Sequence, residues 1–325
     1  MQRRTFKAAL VSTLALAAFS VPSLALAQAW PTKQPIKLVA VFPPGGSVDQ
    51  VARIIAQPLS QQLAQTVIVE NRGGASGTIG TAAVVQAPAD GYTFAVVFDT
   101  FGVNPSLTAS MPFDSKKDLV PLVLVGTSPM VLATNVNSEY KTFADVVAAA
   151  KAKKNVSFGT IGNGSLGHLA MALLGKNANV EWTHVPYKGG AQAITDLIGG
   201  QVDVMFNGMV ATYPQVKAGK IKLIAVSSQT RNAQMPDTPT VAESLPGFLT
   251  GSFQGLLAPA GTPKPVIDKL YAEIQRIAAL PDVKERLVTL GAEPSSMTPE
   301  QFGQWMKTEI PAMAKIVKDE KITAE

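Results

Sequence analysis

The chain has 325 residues, with 28 Lys and Arg against 23 Asp and Glu, a net charge of +5 and no cysteine. Without thiols it has no disulfide, no lipid-bearing cysteine and no cysteine-based metal or nucleophile site. The basic excess is small and forms no Lys/Arg cluster with interleaved aromatics, which argues against nucleic-acid binding.

Residues 1–27 read as a secretory signal peptide. Arg3, Arg4 and Lys7 form a basic n-region, an apolar stretch runs from Ala8 to Val21, and Ala25-Leu26-Ala27 is a small-x-small cleavage site. The apolar core is too short for a membrane span, and cleavage is expected after Ala27 or after Ala29. Removal of residues 1–27 takes away three positive charges and no acid, so the net charge falls from +5 to +2. A freely soluble periplasmic protein is expected, long enough for two lobes. The pattern divides into a first lobe of residues 28–125 plus 255–325 and a second of 126–254.

The first unit predicts a buried strand at Ile36–Phe42, a Pro-Pro-Gly-Gly turn and an amphipathic helix to Leu63. Val48, Ala52, Ile55, Ala56, Leu59 and Leu63 recur at helical spacing. Ser47 is placed to cap that helix, with Gln50 completing a capping box. A helix start of this kind offers N–H groups and the positive dipole end to a carboxylate or phosphate, and Gly45 and Gly46 allow close approach. These residues fit a plain strand–helix turn equally well. A strand at Val67–Glu70, a glycine-rich loop, a helix from Thr78 to Gln86 and a continuous apolar strand at Tyr92–Phe98 follow. This βαβαβ order predicts a largely parallel sheet covered on both faces.

Asn104-Pro105 and Met111-Pro112 break the next stretch, which reads as irregular. Leu119–Thr134 is long, apolar and extended, suited to crossing between lobes. A second alternating series then predicts helices at Phe143–Lys151, Leu166–Lys176 and Ala191–Ile198. Its strands fall at Val156–Gly159, Trp182–Val185, Val202–Phe206 and Lys222–Ser227. A second extended run, Gly251–Pro259, returns the chain, and helices at Pro263–Ala279, Pro281–Leu290 and Pro299–Ile316 close it. Two α/β lobes joined by two extended crossing strands make a clamshell. Their βα loops would share one cleft that closes by hinge bending.

Motifs for catalysis are missing. The chain lacks G-x-G-x-x-G after its first strand, G-x-x-x-x-G-K-[ST] and G-x-S-x-G, and His168 and His184 lack the H-x-x-x-H zinc spacing. The loops Phe42–Ser47, Ala75–Thr78, Asp99–Phe101, Thr160–Ser165 and Pro186–Gly190 are rich in Gly, Ser and Thr and poor in charge. Small residues at helix starts supply donors without filling space, which suits a small anion in a preformed polar cleft.

The segments PIKLVAVFPPGGSVDQVAR, VIVENRGGASGTIG and PADGYTF resemble the N-terminal signature of the periplasmic solute receptors of tripartite tricarboxylate transporters, the Bug receptors. IGNGSLGHLAMALLG, HVPYKGGAQAITDLIGGQVDVMF, TPTVAES and GLLAPAGTPKPVIDKL extend the likeness over the mature chain. The resemblance implies a type II periplasmic-binding-protein fold and a small carboxylate ligand, with no cofactor, a monomeric state and membrane permease subunits as partners. It implies that Phe42, Pro44, Gly45, Gly46, Ser47, Ala75, Ser76 and Gly77 make up the two loops whose backbone N–H groups, with ordered water, hold a carboxylate. Thr160, Gly164, Ser165, Pro186, Tyr187 and Asp203 would then close over its other end. His168, one turn into a helix, reads as structural.

One departure concerns specificity. Thr100 and Phe101 stand where the family often has polar residues and a histidine, and Phe98 is nearby. Phe101 reads as local packing, or as an aromatic wall favouring aromatic or longer aliphatic acids. Asp49 opposes an anion and is expected to hold its loop with its side chain turned away. Arg72 would either balance the ligand's charge or brace the loop, and Lys188 reads as a solvated lysine at the cleft rim. Two other functions stay open: a secreted hydrolase using Ser165 or Ser76 with a histidine, and a receptor feeding a sensor kinase.

Overall fold

The computed structural model describes residues 30–322, apart from residues 109, 153, 247, 249 and 320. The expected signal peptide lies outside the described residues. The chain opens with β1 (Ile36–Ala40), α1 (Ser47–Leu63), β2 (Val67–Asn71), a 3-10 turn (Ala75–Gly77), α2 (Thr78–Val85), β3 (Thr93–Val97) and α3 (Thr100–Leu107). After β4 (Leu119–Asn135) come α4 (Phe143–Lys151), β5 (Ser157–Thr160), α5 (Leu166–Ala178), β6 (Thr183–Pro186), α6 (Gly190–Ile198), β7 (Val204–Gly208), α7 (Met209–Lys217) and β8 (Ile221–Val226). The chain closes with α8 (Val241–Ser244), β9 (Gly251–Pro259), α9 (Lys264–Ala279), α10 (Pro281–Thr289), β10 (Glu293–Pro294) and α11 (Pro299–Asp319).

One curled sheet, ordered β2-β1-β3-β9-β4-β7-β5-β6, carries both lobes. In the first lobe β1 pairs parallel with β2 and β3, and β9 returns antiparallel between β3 and β4. In the second, β5 pairs parallel with β6 and β7. The 17 residues of β4 join them. Its part up to Pro129 pairs with β9, and from Met130 it runs between β7 and β8. The lobes therefore change over between Pro129 and Met130 on β4 and at Gly251 on β9.

The inner strands β1, β3, β5 and β7 are buried almost throughout because helices cover both faces, which is why β3 (TFAVV) lacks the alternation of a half-exposed strand, whereas the edge strands β2 and β6 stay partly exposed. α1 lays Val48, Val51, Ala52, Ile55, Ala56 and Leu59 into the first lobe's core. Phe158, Leu174, Phe206 and Phe248 anchor a separate core in the second lobe. Besides the one-turn α8, two helices depart from the sequence expectation. The stretch around Asn104-Pro105 is α3, and α7 occupies a stretch with no predicted element. Each has proline as its sixth residue, Pro105 and Pro214. Proline removes one helical hydrogen bond. Buried Phe101 and Val103 hold α3 regardless, and buried Met209, Val210 and Ala211 hold α7.

Candidate functional site

The carboxyl ends of β1, β2 and β3 face those of β5, β6 and β7, and the two sets of loops touch. Ser76 Oγ donates to Asn163 O across the junction at 2.9 Å. A Cβ placed on Gly189 would fall 2.9 Å from Pro43 Cδ, and one on Gly208 would fall 3.2 Å from Phe98 Cζ and 3.3 Å from Ser47 Oγ. The lobes are closed on each other.

Between them lies a narrow cavity, in this closed form with room for about one water, lined by Phe42, Gly46, Ser47, Val48, Phe98, Ile161, Gly190, Asn207 and Ala211. Three helices begin at this cavity: α1, α6 and α7. Their N-cap residues are Gly46, Gly189 and Gly208, and none of the three makes a side-chain cap. Away from the cavity, Thr142 and Thr240 cap α4 and α8 with complete capping boxes. The cavity therefore receives three positive dipole ends and first-turn N–H groups with no side-chain cap. No charged side chain lines it.

Ser47 is thus not the N-cap but the first helical residue. The expected capping box is replaced by a brace around Gly45, whose φ of +83° suits glycine. Asp49 accepts from Gly45 N at 2.9 Å, from Arg53 Nε at 2.9 Å and from Asn71 Nδ2 at 2.9 Å, while Gln50 Nε2 donates to Gly45 O. Burial alone would raise the Asp49 pKa. The bonds from Arg53, Gly45 and Asn71 outweigh it and hold the carboxyl below its usual range. Asp49 thus carries a charge that serves the loop, as its sequence position suggests. Arg72 pairs with Glu70 beyond the cavity wall.

The glycine-rich loop is wound through the left-handed region: φ is +127° at Gly74, +46° at Ala75, +50° at Ser76 and +90° at Gly77. For Ala75 and Ser76 such a conformation costs about 1 kcal/mol or more each. Asn104 Nδ2 secures the turn by donating to Ser76 O and Thr78 Oγ1. Thr100 and Phe101 line a different space, too tight to hold a water, with Val41, Ser76, Gly77, Thr81, Asn104, Met111 and Phe113. All of those walls belong to the first lobe. Among the described aromatic side chains, Phe42 and Phe98 line the interlobe cavity, packed edge to face at 6.2 Å.

Second-lobe expectations divide likewise. Thr160 Oγ1 bonds His184 Nε2 at 2.7 Å and Gly162 O at 3.1 Å. Ser165 caps α5 by accepting from His168 N. Gly164 N donates to His168 Nδ1 at 3.1 Å, so that ring braces the loop before its own helix. The ring stacks on His184 at 4.0 Å, and His184 stacks on Phe158 at 4.8 Å. Burial, then the neighbouring His168, pushes His184 down to about 4. Tyr187 turns its hydroxyl to Asp196 at 2.8 Å, and burial together with that carboxylate raises it to about 12. Pro186 ends β6 in an exposed position.

Asp203 does not join these residues. It precedes β7 at the amino-terminal edge of the sheet, where its carboxylate accepts from Ser157 N at 2.8 Å and Ser157 Oγ at 2.7 Å. It lies at the opposite end of the strands from the loops. Sequence reasoning missed Ile161, Asn207 and Ala211. The last two flank the β7–α7 turn, which is visible only once Pro214 is allowed inside a helix.

Comparison with known proteins places this architecture. Residues 51–322 match the model of the tripartite tricarboxylate transporter family receptor. The chain belongs to that receptor family. It is 38% identical over 299 residues to the UPF0065 protein in the tcbD-tcbE intergenic region of Pseudomonas sp. strain P51, covering 91% of this chain and 89% of that one. Protein BugT of Bordetella pertussis is 34% identical over 290 residues, covering 88% and 89%. The R. palustris protein Rpa4515, solved with adipate, superposes with a TM-score of 0.87 at 31% identity, over 90% of this chain and 99% of that one. MatC from Rhodopseudomonas palustris, solved with bound malate, gives 0.83 at 31% identity, over 88% and 99%. The family is one of periplasmic solute-binding receptors, and the sheet and closed cleft have the two-lobed form of that class. No helix among the described residues is long and apolar enough to cross a membrane.

Proposed function

We propose that this chain is a non-enzymatic periplasmic receptor that captures a small carboxylate in the interlobe cavity and delivers it to the permease subunits of a tripartite tricarboxylate-type transporter. The observation that carries this reading is the convergence of three helix starts without side-chain caps on one uncharged cavity. A carboxylate there gains N–H donors and dipole attraction while meeting no fixed anion. Phe42, Gly46 and Ser47 form the first-lobe seat, with Gly45 braced behind it by Asp49, and Gly190, Asn207 and Ala211 close the other side. The two lobes, which change over between Pro129 and Met130 and at Gly251 and not at the expected residues 125/126 and 254/255, act as the two jaws of a monomer. Relatives solved with adipate and malate support an aliphatic acid ligand.

A hydrolase is disfavoured because the Ser76 hydroxyl is given to Asn163 O and that of Ser165 to the start of α5. A panel of mono-, di- and tricarboxylates, including malate, adipate and benzoate, tests the proposal by thermal shift. A ligand at a hundred times its Kd stabilises the folded chain by about 2.7 kcal/mol. Saturable stabilisation without turnover is expected. Turnover abolished by Ser76→Ala or Ser165→Ala, or no shift with any carboxylate, would overturn it. Deletion of the gene is expected to abolish uptake of the ligand; loss of a transcriptional response with uptake intact would instead indicate a sensor pathway.

A further inference from the structure

Among the described residues, Asp99 is the one fully buried carboxylate at the junction of the lobes. It follows β3, is 0% exposed, and neither of its oxygens reaches hydrogen-bond geometry with any described donor. Across from it is the start of α5, in the other lobe. The amides of Leu166 and Thr100 are directed toward it closely enough to favour its charged form. Burial outweighs them and pushes Asp99 up to about 8. The surrounding contact is an interlobe one. Val103 of α3 packs with Leu169 of α5 and with Met313 and Val317 of α11, and Leu107 abuts Gly164.

The neighbouring elements offer no compensating charge. α3 has no titratable side chain, β9 contributes the neutral Gln254, and α5 carries His168, which is stacked on His184, with Lys176 about three turns from the helix start, in its last turn. α11 carries Glu309, Lys315, Lys318 and Asp319 along its carboxyl-terminal half, and Lys315 pairs with Asp319. None of these exerts a charge–charge effect on Asp99.

From this geometry we infer that Asp99 is a proton-linked latch: closing the two lobes buries its carboxyl against α5, and closure takes up a proton there. In the parted lobes water reaches the carboxyl, which then ionises at an ordinary carboxylate pKa near 3.9. The closed form binds the proton more tightly than the open one. Closure is therefore favoured at low pH and weakens as pH rises toward the closed-state value, by up to tenfold per pH unit. A carboxylate captured by closure is released more readily as pH rises. The linkage concerns closure itself, so it holds whichever carboxylate is bound.

Because the chain has no cysteine, spin labels on Ile79→Cys and Lys188→Cys, exposed positions on opposite lobes, report the interlobe distance without interference. The closed population is followed from about pH 6.5 to about pH 9, a range above the His184 titration, without ligand and with malate or adipate. The expected result is a closed population that falls with pH in the native chain and stays level in Asp99→Asn. Infrared spectroscopy at neutral pH should also show a protonated-carboxyl stretch that Asp99→Asn lacks. If Asp99→Asn does not fold, Asp99→Ser serves as the comparison, and the native chain's own pH response remains decisive. A level native response, an equal response in the variant, or no such infrared band would overturn the inference. Failure of malate and adipate to bind would count against the proposed ligand class, while the ligand-free pH response would still decide for or against the latch.

Discussion

Two groups of loops meet where the lobes close, and they use their polar groups in opposite ways. Around Ser76, Thr160, Ser165 and Tyr187, hydroxyls are plentiful and each is engaged by a partner within the protein. Around Gly46, Gly189 and Gly208, side-chain donors are few and three helix starts have no side-chain cap. The first group holds the scaffold and the contact between lobes. The second leaves donors for a guest. In the proposed seat, backbone groups more than polar side chains face the ligand.

That contrast can be broken at several points. The largest effect is expected at Gly164, where φ is +69° and a Cβ would fall 1.8 Å from Leu107 Cδ1. Gly164→Ala should lower stability by about 1–3 kcal/mol in urea unfolding and shift the lobes toward the open form. Equal stability of the variant and the native chain would show that the α3–α5 contact is not rigid.

Separating the two groups comes next. Asn207→Leu, at the open seat, should weaken binding of the panel's best carboxylate by about tenfold or more, since a hydrogen bond to a charged group is worth about 1.5–3 kcal/mol. Ser165→Ala removes a helix cap and should lower stability by about 1 kcal/mol. Once corrected for stability, its affinity should be near native. Calorimetric titration reads the first and thermal unfolding the second; reversed effects would invert the comparison.

The stacked histidines give a smaller, pH-dependent signature. His184 is held at about 4 against an ordinary 6.5, so the unfolded chain binds more protons between those values. This contribution is complete above 6.5 and is lost as pH falls through that window toward 4. It is measured as the stability difference between the native chain and His184→Gln, because Asp99 titrates in the opposite sense. No difference in slope would show that the stack tolerates a charged ring. Smallest of all is the expected change in ligand preference for Phe101→His. Phe101 lines the first-lobe space and not the interlobe cavity, so benzoate and diacid affinities should keep their order even if stability drops.

The sequence alone determined the layer architecture and most element positions. Apolar period and turn chemistry are local properties, and Phe143–Lys151 and Gly251–Pro259 occur where their patterns place them. The long helices α1 and α11 are legible despite an internal proline, Pro58 and Pro311, because their apolar period runs on past it. The short α3 and α7 are not, because their stability comes from tertiary burial that overrides one lost hydrogen bond.

That the PPGGS turn opens a helix was readable because glycine and a helix start are visible in a string of letters. Which hydroxyls remain open to a ligand was not readable. Thr160, Ser165 and Tyr187 acquire their partners only through folding, and Asp203 was assigned to the wrong end of its strand. Hydrogen bonds between residues far apart in sequence, and the burial of Asp99 beneath α5, arise from how two lobes meet. Only the tertiary structure decides that, since satisfaction and desolvation depend on what lies opposite in space.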